Sequence, residues 1–184
     1  DKFMDENQKY VLDKTLSRVD FYLNVINVKA AFLVAFDTFI LGTILLKYSD
    51  IIDQFVFYKV KFLVVFLIIM MTLGIVGSLF KIFGAVAPFL KSGNKPDAYC
   101  SILYFGSVAG LTIEEYEEKV KCLNENILIN DLIQQNHLLS KSLEEKFNKI
   151  NAGIKAIIWL TIFPMTIIVI LKIIEWFFAY RRTL

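Results

Sequence analysis

Cysteine and histidine are scarce in this 184-residue chain, which contains two Cys and one His. Cys100 and Cys122 form no CxxC pair, so the spacing indicates neither a zinc site nor a redox dithiol, and both are expected to be reduced cytoplasmic thiols. His137, on the polar side of a predicted helix with Asp131, has no partner base, nucleophile or second metal ligand in a recognisable motif. A hydrogen-bonded structural histidine is favoured there over a catalytic one.

A strong charge imbalance is also missing, because 20 Lys and Arg are interspersed with 18 Asp and Glu for a formal net charge of +2. Direct binding to nucleic acid is therefore not expected, since it needs clustered positive charge. The motifs GxxxxGK[ST], GxSxG and HExxH do not occur, and no group of acidic residues suits a divalent metal. We expect no enzyme activity, no metal and no cofactor.

Hydrophobic residues, by contrast, make up 57% of the chain, above the roughly 45–50% of globular proteins. Three windows approach the length of about 20 apolar residues that a membrane-spanning helix needs. They are residues 30–46, 62–80 and 152–171. Pro164 in the third window is expected to kink its helix. The sequence predicts an all-α integral membrane protein with three transmembrane helices.

The spans divide the remaining segments between the two sides of the membrane. Residues 1–29, a predicted N-terminal helix, share a side with residues 81–151, and the short loop 47–61 shares the other side with the tail 172–184. Within about 15 residues of the spans, ten Lys and Arg flank the first side and six flank the second. The positive-inside rule favours a cytoplasmic N-terminus, a cytoplasmic 81–151 region and an external C-terminus.

Two apolar stripes lead from the predicted cytoplasmic part into spans. One recurs at spacings of four and three from Leu12 to Leu33, on a helix predicted to run without a break from Glu6 to Leu46. The other lies on a helix predicted from Glu125 to Asn151, which could continue into the third span. The stripes are expected to bury against each other in a cytoplasmic helical bundle.

Two shorter elements lie between the second span and this last helix. Thr112 to Glu115 form a capping-box pattern that predicts a helix from Ile113 to Cys122. Ser101 to Gly110 are apolar and aromatic but too few to span a membrane. A membrane-surface segment and a wedge in the helical bundle are the two interpretations of this stretch.

Asp37 lies near the centre of the first span, where a carboxyl group is costly, so we expect it to face protein or water instead of lipid. It is either a pore-lining or gating acid, with Pro164 as a second gating candidate, or a carboxyl that pairs with a neighbour such as Thr43 or stays protonated. Gly42, Gly74 and Gly77 could permit close approach of helices, but they do not form a GxxxG motif and are interpreted as ordinary membrane-helix glycines.

Polar residues at the inner end of the first long helix are interpreted as either a solvated cluster or part of a site for a small anionic ligand. Side chains from elsewhere in the cytoplasmic part could add to such a site. The candidate ligand-sensing residues are Arg18, Asp20, Asn27, Lys29, Tyr104, Ser107 and His137.

Three stretches next to apolar spans carry a family resemblance: RVDFYLNVINVKAAFLVAF (residues 18–36), ILYFGSVAGLTIEEY (102–116) and DLIQQNHLLSKSLEEKFNKIN (131–151). In this order and spacing they resemble the transmembrane effector family of Pycsar antiphage defence, over nearly the whole chain. The resemblance implies a bacterial inner-membrane effector that responds, after phage infection, to a cyclic pyrimidine mononucleotide. It also implies a partner nucleotide cyclase encoded nearby and damage to the host membrane.

Related membrane effectors occur beside other signalling systems of defence, so the trigger could equally be a cyclic oligonucleotide or a partner protein. Three spans cannot enclose a wide aqueous pore, so permeabilisation or depolarisation of the membrane would need a homo-oligomer. The alternative is a non-conducting membrane adaptor that recruits a soluble partner through its cytoplasmic helices.

Overall fold

A computed structural model describes residues 6–87 and 101–183, apart from the side chains of residues 105 and 179–183. Those residues form helices and connecting turns. The elements in chain order are α1 (Glu6–Asp53), α2 (Tyr58–Val86), α3 (Phe105–Val108), α4 (Ile113–Lys121), α5 (Glu125–Ile157), a π-helical segment (Ile158–Ile162) and α6 (Phe163–Thr183). Cys100 lies outside the described residues, and Cys122 is a free, exposed thiol.

Three helices in the described part of the chain are long and apolar enough to cross a membrane: α1, α2 and the continuous helix Glu125–Phe178. The predicted all-α membrane fold is confirmed. At a rise of 1.5 Å per residue, the 48 residues of α1 extend about 72 Å, more than twice the roughly 30 Å of a hydrocarbon core. One helix therefore supplies both a span and a segment outside it, as the uninterrupted stripe predicted.

The chain divides into two compact units. The helical unit consists of Asp1–Val25 and Ala87–Glu145, and the membrane unit consists of Ile26–Val86 and Lys146–Leu184. All three apolar windows of the sequence fall in the membrane unit.

The core of the membrane unit lies where the C-terminal part of α1, helix α2 and helix α6 meet. Its buried residues are Ile44, Phe55, Val64, Ile68, Met71 and Ile75, against which Ile168 and Leu171 pack. The connection from α1 to α2 is shorter than predicted, because α1 continues past Leu46 to Asp53. The expected C-terminal tail is helical as far as Thr183.

Pro164 produces a widened helical turn. Its ring nitrogen has no hydrogen to donate to the carbonyl of Leu160, and its ring crowds that carbonyl. The Phe163 N–H instead donates to the Ile158 carbonyl, five residues back. The distortion predicted at Pro164 therefore takes the form of the π-helical segment, and the helix continues beyond it as α6.

The π-helical segment lies against α2 at a glycine. A Cβ atom on Gly74 would overlap the Cβ of Leu160 and lie 3.1 Å from the Leu160 carbonyl oxygen. The interpretation of Gly74 as an ordinary membrane glycine was therefore wrong, because its missing side chain makes room for the neighbouring helix. Gly42 and Gly77 have open space around them, as expected.

In the helical unit, α4 begins at the predicted capping box. The Glu115 N–H donates to Thr112 Oγ1 at 3.2 Å, and the Thr112 N–H donates to Glu115 Oε2 at 2.9 Å. These bonds satisfy two amides that a helix start leaves unpaired. The next helix, α5, starts with the Asn124 side chain accepting from the Ile127 N–H at 2.9 Å.

The first turns of α1 contact α5 within the helical unit. Lys9 pairs with Glu125 at 2.5 Å, and Asn136 Nδ2 donates to the Leu12 carbonyl at 3.1 Å. Leu12 of one apolar stripe and Leu128 of the other line the same pocket. The apolar stripes of the two helices therefore meet here, as the sequence predicted.

Candidate functional site

Asp37 is the most unusual polar residue of the membrane unit. Its side chain is 0% exposed, and neither carboxyl oxygen has a hydrogen-bond partner among the described residues. Ser78 of α2 lies beside it, but the Ser78 hydroxyl donates to the Gly153 carbonyl of α5 at 3.3 Å. Asp37 was predicted to face protein or water instead of lipid, and in the structure it faces protein. Pairing with Thr43 was wrong, since the Thr43 hydroxyl donates to the Phe39 carbonyl at 2.9 Å.

An acid at this depth is costly to keep. Insertion scales give about 2.5–3.5 kcal/mol for Asp at the centre of a span, and an ionised carboxylate without a counter-charge costs several kcal/mol more to bury. Most intramembrane acids with that cost have a functional role. The carboxyl of Asp37 is enclosed within the single chain.

Pro164, the second gating candidate, is buried in the membrane unit. The hydroxyl of Thr161, within the π-helical segment, is also buried and has no hydrogen-bond partner among the described residues. Wide helical turns of this kind are frequent at functional sites. The segment and Asp37 together place two unsatisfied polar groups inside the membrane unit, but a gating role for either candidate stays a prediction.

Asp131 fastens the stretch Ser101 to Tyr104 to α5, an arrangement that we call the Asp131 clasp. Its Oδ2 atom accepts hydrogen bonds from the Ser101 hydroxyl at 3.0 Å and from the N–H groups of Ile102 and Leu103 at 3.1 and 3.3 Å. Ser101 Oγ in turn accepts from the N–H groups of Leu103 and Tyr104. The clasp holds this stretch within the helical unit, where the sequence left its place open.

Burial dominates the electrostatics of the clasp. Asp131 is only 5% exposed, and its burial raises the pKa of the carboxyl above the ordinary 3.8, although the N–H groups of Ile102 and Leu103 act in the opposite direction. The sequence-based placement of Asp131 on a polar helix face was wrong. Gln135, one turn later, also donates to Ser101 Oγ.

Tyr104 and Gly106 explain the Phe-Gly-Ser part of the sequence. A Cβ atom on residue 106 would lie 2.6 Å from Cε1 of the Tyr104 ring. The ring therefore covers the glycine, and the Ser107 N–H donates to the Tyr104 carbonyl at 2.9 Å to begin the short helix α3. Ser107 is buried and Tyr104 is half-buried.

The seven candidate ligand residues fall in both units. Asn27 and Lys29 are exposed in the membrane unit. The other five belong to the helical unit, where Arg18, Asp20 and His137 are also exposed. A ligand-sensing role for this set stays a prediction.

Two lysines that the sequence reasoning did not single out bind the end of α2. Lys146 Nζ donates to the Ala85 carbonyl, and Lys149 Nζ donates to the Gly84 carbonyl at 3.0 Å. Cations at a helix C-terminus satisfy its free carbonyls and favour its dipole. Burial, and next the neighbouring Lys149, lower the pKa of Lys146. Their spacing of three residues on one helix was the available signal.

At the other end of the membrane unit, Glu175 of α6 binds the connection between α1 and α2. One carboxylate oxygen accepts from the N–H groups of Val56 and Phe57 at 2.7 and 3.2 Å. Lys172 donates to the Gln54 carbonyl and lies 5.2 Å from the Phe55 ring centroid. This connection is therefore anchored to the last helix.

These features define a small three-span membrane protein with a helical unit built on the same long helices. Residues 11–174 match the family described as PycTM, the Pycsar effector protein domain. The chain belongs to this family, which confirms the resemblance, and it is a membrane effector of antiphage defence. No curated protein and no solved structure matches it.

Proposed function

We propose that this effector permeabilises or depolarises the bacterial inner membrane when a nucleotide second messenger binds. The observation that carries the proposal is Asp37, a fully buried acid of the membrane unit with no hydrogen-bond partner among the described residues. A static membrane anchor has no need of such a group, whereas a protein that opens a polar path does. The enclosed arrangement is the resting state in this proposal.

Opening requires more than one protomer. Three spans cannot enclose a wide aqueous lumen, so the active form is a homo-oligomer in which polar residues of the membrane unit turn towards a shared path. The lipid bilayer and identical protomers are thus its partners, together with a nucleotide cyclase that produces the signal.

The trigger acts on the helical unit in this proposal. A cyclic pyrimidine mononucleotide carries one phosphate, which suits an exposed donor of the helical unit such as Arg18. Both α1 and α5 run without interruption from the helical unit into the membrane unit. A change in the packing of these helices on ligand binding would therefore reach the spans.

The test measures membrane potential in bacteria that express the chain, with and without a co-expressed pyrimidine cyclase. Collapse of the potential only with the active cyclase supports the proposal, and a catalytically dead cyclase is the matched control. Arg18→Ala should raise the signal needed for collapse. An unchanged potential, with the folded protein confirmed in the membrane, would contradict the proposal.

The adaptor alternative is favoured by one feature of the helical unit. A cavity of about 500 Å³ lies between α1 and α5, lined by Val11, Leu12, Ile129 and Ile133 with polar neighbours. Such a groove suits an apolar side of a soluble partner. An adaptor leaves the membrane sealed, so leakage of a dye from vesicles that contain the purified protein and nucleotide separates the two functions.

A further inference from the structure

Three helices of the membrane unit meet around Asp37. Ser78 of α2 lies beside its carboxyl, and the Ser78 hydroxyl donates a hydrogen bond to the Gly153 carbonyl of α5 at 3.3 Å. A Cβ atom on Gly153 would lie 3.0 Å from Ile82 Cγ1 and 3.6 Å from Ser78 Oγ. The glycine therefore allows α5 close enough to α2 for its carbonyl to take part.

No described residue neutralises the carboxyl of Asp37 by an ion pair or a hydrogen bond. Lys149 on α5 instead donates to the Gly84 carbonyl. The charged residues closest along the three helices are exposed: Lys29, Lys81, Lys149 and Lys155. A bound proton neutralises the Asp37 carboxyl without needing space for a cationic side chain or ion in this closely packed region.

We propose that Asp37, Ser78 and the Gly153 carbonyl form a proton-binding site in the membrane unit. The neutral Asp37 carboxyl donates its proton to Ser78 Oγ, and the Ser78 hydroxyl donates to the Gly153 carbonyl. This chain of two hydrogen bonds links α1 to α2 and α2 to α5. It satisfies the buried acid, as buried polar groups require.

Loss of the proton breaks the chain. The proton leaves to water, the carboxylate keeps the electron pair of the O–H bond, and Ser78 then has one hydrogen for two acceptors, Asp37 and Gly153. The ionised acid is stable only where water or a polar lumen reaches it. Protonation therefore holds the three helices together, and ionisation accompanies opening. The part played in opening rests on the proposed function, but the proton site itself does not.

Infrared spectroscopy of the full-length protein in lipid nanodiscs tests the site. We expect the carbonyl stretching band of a protonated carboxylic acid in the wild type at neutral pH. The band should be absent from Asp37→Asn and should therefore appear in the difference between the two spectra. Ser78→Ala should shift the band, because it removes the acceptor of the carboxyl proton. Asp20→Asn, which removes an exposed acid of α1, is the matched control and should leave it unchanged. A wild-type spectrum identical to that of Asp37→Asn in this region would overturn the proposal.

Membrane potential tests the coupling to opening. Asp37→Asn cannot ionise and keeps an amide that donates to Ser78, so it should insert and fold but no longer depolarise the membrane when the cyclase is active. Depolarisation at the wild-type level would overturn the role of ionisation. Failure of the wild type to depolarise would instead contradict the proposed function, and the infrared result would still decide the proton site.

Discussion

At the scale of single residues, the chain uses two buried aspartates in opposite ways. Asp131 accepts several hydrogen bonds and fixes a turn, whereas Asp37 lies among apolar helices and accepts none from a described residue. The difference follows from their neighbours: a turn offers free N–H groups, while a helix interior has none to offer.

The Asp131 clasp should make stability depend on pH. The pKa of Asp131 is raised in the folded state, so its proton stabilises the fold at low pH, and this contribution is lost as pH rises from below 3.8 through the folded pKa. Asp131→Asn cannot ionise and retains a carbonyl acceptor. We expect its melting temperature to rise relative to the wild type as pH increases over that range.

Asp131→Ala is the second variant for this experiment. It removes the acceptor of the Ile102 and Leu103 N–H groups, so at low pH its free energy of unfolding should be about 1–3 kcal/mol below that of the wild type. Thermal unfolding in detergent at several pH values measures both variants. Parallel pH profiles of wild type and Asp131→Asn would contradict the assigned pKa shift.

Sequence alone predicted that Asp37 faces protein or water instead of lipid, because the cost of a carboxyl in lipid is a property of one residue and its depth. It did not predict Ser78 or Gly153 as neighbours. Both belong to other helices, and the rotation of packed helices about their axes has no local sequence signal here. The Asp131 clasp was missed for the same reason, since its partners lie 29 and 28 residues away.

At the scale of elements, the packing of α2 depends on the wide turn before Pro164. The freed backbone at Leu160 lies on Gly74, so the two helices approach to a distance that no side chain at residue 74 would allow. Hydropathy predicted the spans and their order well, because each signal is continuous over many residues. The π-helical segment was foreseen only as a kink, since proline identifies the place of a distortion but not its form.

Gly74→Ala should destabilise the membrane unit by about 1–3 kcal/mol, because the added methyl group would overlap Leu160. Gly77→Ala adds the same group to the same helix, with nothing within 4 Å of it, and should be neutral or slightly stabilising. Thermal unfolding of both variants in the same detergent makes the comparison. Equal melting temperatures would mean that α2 and the π-helical segment do not pack in this way.

At the scale of the whole molecule, the hydrophobic excess and the three windows were sufficient for the fold class. The division into two units was partly predictable, because the apolar stripes were visible in the sequence as a period along α1 and α5. The predicted side of each terminus rests on one observation, that more basic residues flank the spans on the side of residues 1–29 and 81–151 than on the other side.

Reporter fusions should place the N-terminus in the cytoplasm and the C-terminus outside. A fluorescent protein at the N-terminus should be bright, because it folds in the cytoplasm, and alkaline phosphatase after Leu184 should be active, because it needs the oxidising exterior. The exchanged pair of fusions, each on the opposite end, is the control and should be dark and inactive. Activity of the exchanged pair would reverse the topology.

The hydrogen bonds to Glu175 set a limit on how this chain can be shortened. A deletion after Leu171 looks harmless from hydropathy, since it ends where the apolar window ends. It would nevertheless remove Glu175, the acceptor of the Val56 and Phe57 N–H groups, and with it the contacts that hold the α1–α2 connection to α6. The last helix therefore stabilises the α1–α2 hairpin through Glu175. Experiments on a chain that ends at Leu171 would measure a protein in which this hairpin is no longer held to α6.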